Sequence, residues 1–246
     1  MKTALGTFFE LGSSEVIECI ARSGMDYVII DTEHGPFSVE KTADLIRAAE
    51  AAGIAPYVRI GGQTRDNVLR MLDVGAQALI VPNIESVEQV RMLVKYAKFA
   101  PIGERGYCPT RTSGWGADPW AADPILYMEE CNRRTKLYPQ CETKGAYEHI
   151  EEIVGLDGVD GIFVGPCDLS IGLGVPLQME SPVLNEAIDH IKDVCRKAGK
   201  HCMIFAGSPG KARELYARGF EDVTLSLDAM MLTDALRAAA SACREK

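Results

Sequence analysis

The feature that most constrains the fold is an alternation, repeated eight times, between short apolar runs rich in β-forming residues and longer stretches of helical period. The predicted strands lie near residues 3–9, 26–31, 54–60, 78–82, 137–142, 160–164, 201–205 and 222–226. Eight βα units in a chain of this length fit a (β/α)8 barrel of the TIM-barrel class. A doubly wound open sheet is the alternative, but no GxGxxG motif follows the first strand.

Composition restricts the classes of protein that this chain can belong to. Its 246 residues are 47% hydrophobic, so we expect a single domain over residues 1–246. The formal net charge of −9 argues against nucleic acid as a partner. No apolar stretch is long enough to span a membrane and the first residues lack a secretion-signal pattern, so we expect a soluble, cytoplasmic protein. The eight cysteines include no CxxC pair, which argues against a zinc site or a disulfide framework.

A barrel predicts where its chemistry lies, because catalytic residues gather at the carboxyl-terminal ends of the strands. Polar side chains end four of the predicted strands, and they are Asp31, Glu33, His34, Arg59, Gln140, Glu142 and Asp168. Period-two alternation puts Gln140 and Glu142 on one side of strand five and turns Cys141 to the other side. Glu142 and Asp168 then lie on adjacent strands. Two close carboxylates stay ionised beside a divalent cation, and oxygen ligands favour Mg²⁺ or Mn²⁺.

Four motifs at these strand ends resemble one family of enzymes. They are EHG after strand two, VR in strand three, QxET at strand five and VDGIFVGPxDLSxxLG at strand six. Together they resemble the HpcH/HpaI family of metal-dependent pyruvate aldolases, over nearly the whole chain from Leu5 to the last helix. The resemblance implies a class II aldolase that cleaves a 4-hydroxy-2-oxo acid to pyruvate, or a close 2-oxo acid, and an aldehyde. The implied cofactor is Mg²⁺, Mn²⁺ or Co²⁺.

The resemblance also implies roles for individual residues. It makes Glu142 and Asp168 the metal ligands, His34 the catalytic base supported by Asp31, and Arg59 the group that meets the keto oxygen. It places Gln140 near the bound 2-oxo acid and makes the backbone of Gly165, Pro166 and Cys167 the turn that receives the carboxylate of that acid. Phe8 is a further substrate-binding residue. Two of these depart from the family pattern, since Cys167 replaces an alanine and Phe8 replaces a larger aromatic residue. Both departures bear on the aldehyde more than on the core chemistry.

The chemistry of the residues agrees with this implication. Enolate formation from pyruvate needs a base near the methyl group, and an imidazole with an ordinary pKa near 6.5 takes a proton at neutral pH. A Schiff-base aldolase would carry a lysine at a strand end, and none of the eight predicted strands ends in lysine.

Structural interpretations of the same residues stay open. Glu33 supports the site or caps a helix, and Asp168 before LSIGLG is itself a plausible helix cap. His149, His190 and His201 have no partner pattern and are interpreted as structural. The stretch FAGSPGK fails the phosphate-loop pattern GxxxxGK[ST] and is predicted to be a turn. A CoA-ester lyase of the citrate lyase β/malyl-CoA branch and a non-catalytic barrel are the alternative functions.

Two segments are not explained by the barrel repeat. Residues 100–136 form one irregular stretch, which barrel geometry puts on the face away from the chemistry, although a return over the mouth stays open. The C-terminal stretch LDAMMLTDALRAAASAC is apolar around more of its circumference than a one-sided helix needs. The resemblance implies exchange of this helix between subunits in a homo-oligomer, a trimer or a hexamer.

Overall fold

The computed structural model describes residues 3–244, and these form a closed barrel of eight parallel strands in chain order, with the last strand paired to the first. The strands are β1 Ala4–Phe9, β2 Tyr27–Asp31, β3 Ala55–Arg59, β4 Ala78–Val81, β5 Lys136–Cys141, β6 Gly161–Val164, β7 His201–Ala206 and β8 Asp222–Leu227. The predicted (β/α)8 barrel is confirmed, and every strand lies within one or two residues of its predicted position. Residues 1, 2, 245 and 246 of the predicted domain lie outside the described range.

Helices follow the strands around the outside of the barrel. They are α1 Ser14–Arg22, α2 Val39–Ala52, α3 Arg65–Asp73, α4 Val87–Ala97, α5 Pro124–Arg134, α6 Lys144–Glu148, α7 Ile150–Gly155, α8 Pro166–Gly172, α9 Pro182–Lys197, α10 Pro209–Ala217 and α11 Asp228–Ala242. Local sequence explains many of their boundaries. Ser86 and Gln89 form a capping box at the start of α4, and Gly53 ends α2 in the left-handed conformation.

Two apolar layers hold the barrel together, and strand alternation separates them. One layer fills the interior and comprises Phe8, Tyr27, Ile29, Ala78, Ile80, Tyr138, Phe163 and Met203. The other lies between the strands and the helices and includes Phe9, Val28, Cys141 and Val164. Burial of one such large side chain stabilises the fold by about 1.5–3 kcal/mol. Since Cys141 faces the helices, its neighbours in β5 face the interior, as the alternation predicts.

The segment after α4 lies at the amino-terminal ends of the strands, away from the mouth that carries the polar motifs. Arg105 is paired with Asp73 at the end of α3, and Arg111 is paired with Glu50 near the end of α2. The prediction of a wholly irregular stretch over 100–136 is wrong in one respect. The stretch contains two short 3-10 helices and the helix α5, whose start is capped by the Asp123 side chain.

The last helix, α11, leaves the barrel soon after it begins. Its first residue, Asp228, is buried, whereas every described residue from Leu232 onwards is exposed. Leu236, for example, is 62% exposed. The helix therefore presents apolar side chains that nothing within residues 3–244 covers. No helix within residues 3–244 combines the length and the apolar character needed to cross a membrane.

Candidate active site

A cavity of about 260 Å³ opens at the carboxyl-terminal mouth of the barrel. Its polar side is formed by side chains from the ends of β2, β3 and β5, namely His34, Arg59 and Gln140. Its apolar side is formed by Phe8, Phe163, Phe205, Leu227 and Met230. Residues 165–168, between β6 and α8, complete the wall. The cavity thus brings together most of the residues that the sequence predicts to be functional.

Asp31 and Arg59 form a buried ion pair at this mouth. The two residues are paired in the register of β2 and β3. Arg59 Nε donates to Asp31 Oδ1 at 3.0 Å, and Nη2 donates to Oδ2 at 2.5 Å. Burial alone would raise the pKa of Asp31, but its hydrogen bonds and its attraction to Arg59 lower this pKa overall. Asp31 is therefore an anion that fixes the guanidinium in one orientation.

The predicted contact between Asp31 and the imidazole of His34 is wrong. Asp31 Oδ1 accepts from the backbone N–H of Glu33 at 3.0 Å and from that of His34 at 3.4 Å, so the carboxylate organises the turn and not the ring. Gly35 is needed in this turn, since a Cβ there would lie 2.1 Å from the Asp31 carbonyl oxygen. The carboxylate nearest the ring is that of Glu33, whose Oε2 lies 3.9 Å from His34 Nε2. The imidazole is 68% exposed and faces the cavity.

Glu33 contacts residues at the mouth of the barrel, and the helix that follows, α2, is capped by Ser38. Its Oε2 lies 3.3 Å from Arg59 Nε, and its Oε1 accepts from Asn83 Nδ2 at 3.2 Å. Burial is the main cause that raises the pKa of Glu33, and the charges of Asp31 and Asp168 act in the same direction. Glu33 therefore lies close to the side chains of His34, Arg59 and Asn83.

Glu142 lies just beyond β5 and is almost completely buried. Its Oε1 accepts from the backbone N–H of Asn83 at 2.8 Å, and its Oε2 accepts from Gln140 Nε2. The neighbouring helix α6 is capped by Thr143 and not by Glu142. Gln140 and Glu142 point into the same space, which confirms the predicted alternation. Gln140 Oε1 is buried without a hydrogen-bond partner among the described residues, which leaves an acceptor for a ligand.

Asp168 lies in the first turn of α8 and is exposed at the mouth. Its side chain does not cap this helix, whose N-cap residue is Gly165. Gly165 allows a close approach at this point, because a Cβ there would lie 3.0 Å from Glu142 Oε2 and 3.1 Å from Gln140 Nε2.

The turn expected to receive the substrate carboxylate can do so through part of its backbone only. The N–H of Gly165 donates to the Cys141 carbonyl oxygen, and Pro166 has no N–H. The N–H of Cys167 lies in the first turn of α8, where helical N–H groups have no partner within their own helix. Of the three predicted residues, Cys167 is therefore the one with a free backbone donor to offer.

The donor set fits a hard divalent cation. The pKa of Glu142 is raised, first by burial and then, against its hydrogen bonds, by the charges of Glu33 and Asp168. Neighbouring carboxylates, one of them buried, favour a bound cation. Within residues 3–244, no three His, Cys, Asp or Glu side chains are grouped closely enough to enclose a metal ion. Two carboxylate ligands suit Mg²⁺ and Mn²⁺, which retain several waters.

Phe8 contributes to the site through its ring. The Arg59 guanidinium carbon lies 4.4 Å from the ring centroid, a cation–π contact. Phe8 also packs edge-on against Phe163. The aromatic residue at this position therefore supports Arg59 from the apolar side of the cavity.

Sequence reasoning missed three residues of the mouth: Glu10, Asn83 and Asp228. Asn83 follows β4 with a positive φ of 55° and contacts both Glu33 and Glu142. A polar residue after Pro82 at a strand end was the available signal. Asp228 accepts from the backbone N–H groups of Glu10 and Leu11, at 2.9 and 3.1 Å. It thereby ties the start of α11 to the loop after β1.

The remaining predicted structural residues lie away from the cavity. His149 and His190 are exposed on helical segments, and His201 begins β7 at the opposite end of the barrel. In FAGSPGK, Ser208 caps α10 by accepting from the Lys211 N–H, and Lys211 Nζ is paired with glutamates. The stretch is a turn into a helix, as predicted.

Comparisons with known proteins agree with this arrangement. The family described as HpcH/HpaI aldolase/citrate lyase matches residues 4–235. A 2-keto-3-deoxy-L-rhamnonate aldolase of Klebsiella pneumoniae is 32% identical over 237 residues, which are 96% of this chain and 86% of that protein.

Solved structures give the same result. An HpcH/HpaI aldolase from Desulfitobacterium hafniense has a TM-score of 0.91 and 29% identity, covering 100% of this chain and 94% of that one. The citrate synthase SbnG has a TM-score of 0.87 and 30% identity, covering 99% and 94%. The chain therefore belongs to the HpcH/HpaI aldolase/citrate lyase family and is an enzyme of that lyase family.

Proposed function

We propose that this enzyme is a divalent-metal-dependent aldolase that cleaves a 4-hydroxy-2-oxo acid to pyruvate, or a close 2-oxo acid, and an aldehyde, and also catalyses the reverse addition. The observation that carries the proposal is the convergence of Arg59, Gln140 and Asp168 on one small cavity. Its volume of about 260 Å³ suits a small acid better than a large cofactor. The Klebsiella relative is named for a reaction of this class.

Glu142 and Asp168 would hold the cation, which we propose to be Mg²⁺, Mn²⁺ or Co²⁺. When bound, the cation would stabilise negative charge on the substrate oxygens as the enolate forms. Glu142 is oriented for this task by its two hydrogen bonds, one from the Asn83 N–H and one from the Gln140 amide.

Arg59 binds the keto oxygen in this proposal. Its guanidinium is held from three sides, by Asp31, by Glu33 and by the ring of Phe8. Such fixed donors favour a developing oxyanion because they need no reorganisation during the reaction. Asp31 is a positioning residue that acts through Arg59. The Cys167 N–H is left to donate to the substrate carboxylate, and the orphan Gln140 Oε1 is left to accept from the 4-hydroxyl group.

His34 is the proposed base that removes a proton from the pyruvate methyl group. Its ring lines the cavity, and the Glu33 carboxylate lies 3.9 Å from its Nε2. In the cleavage direction the same group takes the proton of the 4-hydroxyl as the carbon–carbon bond breaks.

A chelation experiment tests the metal. Exhaustive treatment with a chelator should abolish aldol cleavage, and Mn²⁺, Mg²⁺ or Co²⁺ should restore it. Glu142→Ala should weaken Mn²⁺ binding strongly while the barrel still folds, because the interior core does not include this residue. Full activity after chelation, or a pyruvate–lysine adduct trapped by borohydride, would exclude this mechanism.

Deuterium exchange into the pyruvate methyl group tests the base. With saturating metal and no aldehyde, His34→Ala should bind pyruvate but exchange roughly 10²- to 10⁴-fold more slowly. His149→Ala is the matched control, since that imidazole is exposed and bonds to the Gly145 carbonyl oxygen. Exchange by His34→Ala at the rate of the unmodified enzyme would assign the proton to another base.

One rival function has support of its own. The family description, which includes citrate lyase, supports a CoA-ester lyase of the citrate lyase β/malyl-CoA branch as the second candidate. Titration with an acyl-CoA, monitored by calorimetry, separates the rival function from the aldolase function. Saturable binding of acyl-CoA, without pyruvate exchange, would favour the rival. Absence of both would refute both candidate reactions.

We also propose that α11 packs against a second copy of the chain in a homo-oligomer, a trimer or a hexamer. The apolar side chains that this helix leaves exposed, among them Leu232 and Leu236, support the proposal. The absolute mass in solution, measured by light scattering, tests it.

A further inference from the structure

Glu10 is a carboxylate at the mouth that the proposed chemistry does not use. It follows β1, is half-buried and lines the cavity. Burial raises its pKa, and the nearby carboxylates of Asp31 and Asp228 raise it further. A hydrogen bond between the Glu10 and Asp31 carboxyl groups raises this pKa as well. Glu10 thus has a neighbour on its Asp31 side, and it lines the cavity with its remaining acceptor capacity.

The position of Glu10 is fixed by its backbone. Asp228 accepts from the Glu10 N–H at 2.9 Å and is itself buried. Just before it, Ser226 has a positive φ of 50°, and the pairing of β1 with β8 shifts register there. This irregularity turns Leu227 into the interior cluster, where it lines the cavity. Glu10 is thus a fixed polar group beside apolar neighbours from β8 and α11.

The charge around the cavity is strongly negative. Of the side chains that line it, all within residues 3–244, Arg59 is the single lysine or arginine, and it is already engaged by Asp31 and Glu33. A divalent cation and Arg59 would supply three positive charges against six nearby carboxyl groups: Glu10, Asp31, Glu33, Glu142, Asp168 and Asp228. An additional anionic group on the aldehyde would therefore meet repulsion and no free cation.

We propose that Glu10 is a specificity-determining residue that selects uncharged, hydroxylated aldehydes and rejects aldehydes that carry a carboxylate. Its carboxylate accepts a hydrogen bond from a hydroxyl group on the aldehyde and repels an anionic substituent at the same place. The inference rests on the proposed aldolase function and adds to it the chemical class of the second substrate.

Three two-carbon aldehydes of similar size test the proposal. Glycolaldehyde carries a hydroxyl group, glyoxylate a carboxylate and acetaldehyde neither. The kcat/KM for addition to saturating pyruvate is measured for each with the unmodified enzyme, Glu10→Gln and Glu10→Ala. Glu15→Gln is the control, because Glu15 lies exposed on α1 and bonds to Ser13.

The two Glu10 variants separate charge from hydrogen bonding. Glu10→Gln keeps an acceptor but loses the charge, so the glycolaldehyde-to-glyoxylate ratio should fall by about tenfold or more through faster use of glyoxylate. Glu10→Ala should show the same increase in kcat/KM for glyoxylate. Its ratio of kcat/KM for glycolaldehyde to that for acetaldehyde should also fall by about tenfold, because the acceptor is lost. Thermal unfolding checks that both variants fold, and Glu10→Gln alone decides the charge effect.

The outcomes distinguish failure of this inference from failure of the proposed function. If the unmodified enzyme exchanges deuterium into pyruvate but Glu10→Gln keeps its aldehyde ratios, Glu10 does not determine specificity. If the unmodified enzyme shows neither exchange nor addition, the aldolase proposal is wrong and this inference is wrong with it.

Discussion

Asp222 carries the clearest prediction about stability. It is the first residue of β8, and its side chain lies on the same face of that strand as Thr224, which contacts the interior Tyr27 hydroxyl at 2.7 Å. Asp222 Oδ1 is buried and has no hydrogen-bond partner among the described residues. Burial, reinforced by the charge of Asp26, raises the pKa of Asp222 from 3.8 to about 7.

This shift makes stability depend on pH in one direction. As pH rises from about 4 to about 7, the unfolded chain loses the Asp222 proton while the folded chain keeps it, so the free energy of unfolding falls. Above about pH 7, Asp222 is ionised in both the folded and the unfolded chain, and the free energy of unfolding falls no further on its account. A pKa change from 3.8 to about 7 corresponds to about 4 kcal/mol. Asp222→Asn removes this penalty because an amide does not ionise.

Urea unfolding of the two proteins at one protomer concentration, from about pH 5 to about pH 8.5, measures the effect. The stability of Asp222→Asn relative to the unmodified protein should increase by about 2.5–3 kcal/mol over that range. Glu221→Gln, at the exposed neighbouring position, is the control for removal of one negative charge. If the free energy of unfolding changed with pH in the same way for Asp222→Asn and the unmodified protein, the assignment of Asp222 as a neutral acid in the folded chain would be refuted.

Three further predictions concern the site and the last helix. Gly165→Ala should reduce Mn²⁺ affinity by at least about tenfold in a titration, because the new Cβ would lie 3.0 Å from Glu142 Oε2; unchanged affinity would mean that Glu142 moves without cost. Asp31→Asn should raise the KM for pyruvate in deuterium exchange by about tenfold, since Arg59 loses its charged partner; an unaltered KM would remove Asp31 from the positioning of Arg59. Leu236→Glu should lower the mass measured by light scattering, and an unchanged mass would exclude this part of α11 from the interface.

Much of the architecture was predictable from local patterns. The period of the apolar residues identifies each strand, because a strand buried on both faces needs a continuous apolar run. Alternation along β5 then decides that Gln140 and Glu142 share the interior face while Cys141 faces the helices. These conclusions need no knowledge of which strand is a neighbour of which.

Partners between distant segments were harder to predict. Asp31 lies three residues before His34, and proximity in sequence suggests that they interact. In the structure, the Asp31 carboxylate forms its ion pair with Arg59 instead. The pairing of β2 with β3 places these two residues opposite each other. The register of the strands, and not their sequence spacing, decides this contact.

The sequence by itself determined the fold class, the strand ends and the face of the strand on which each side chain lies, since these follow from periodicity along one segment. Only the tertiary structure decided that Asn83 binds both Glu33 and Glu142, that Asp228 holds the loop of Glu10, and that the irregularity at Ser226 turns Leu227 inward. Each of these contacts joins residues far apart in the chain. Their formation depends on strand pairing, which places β4 beside β5, and on barrel closure, which brings β8 against β1, and no local pattern encodes either.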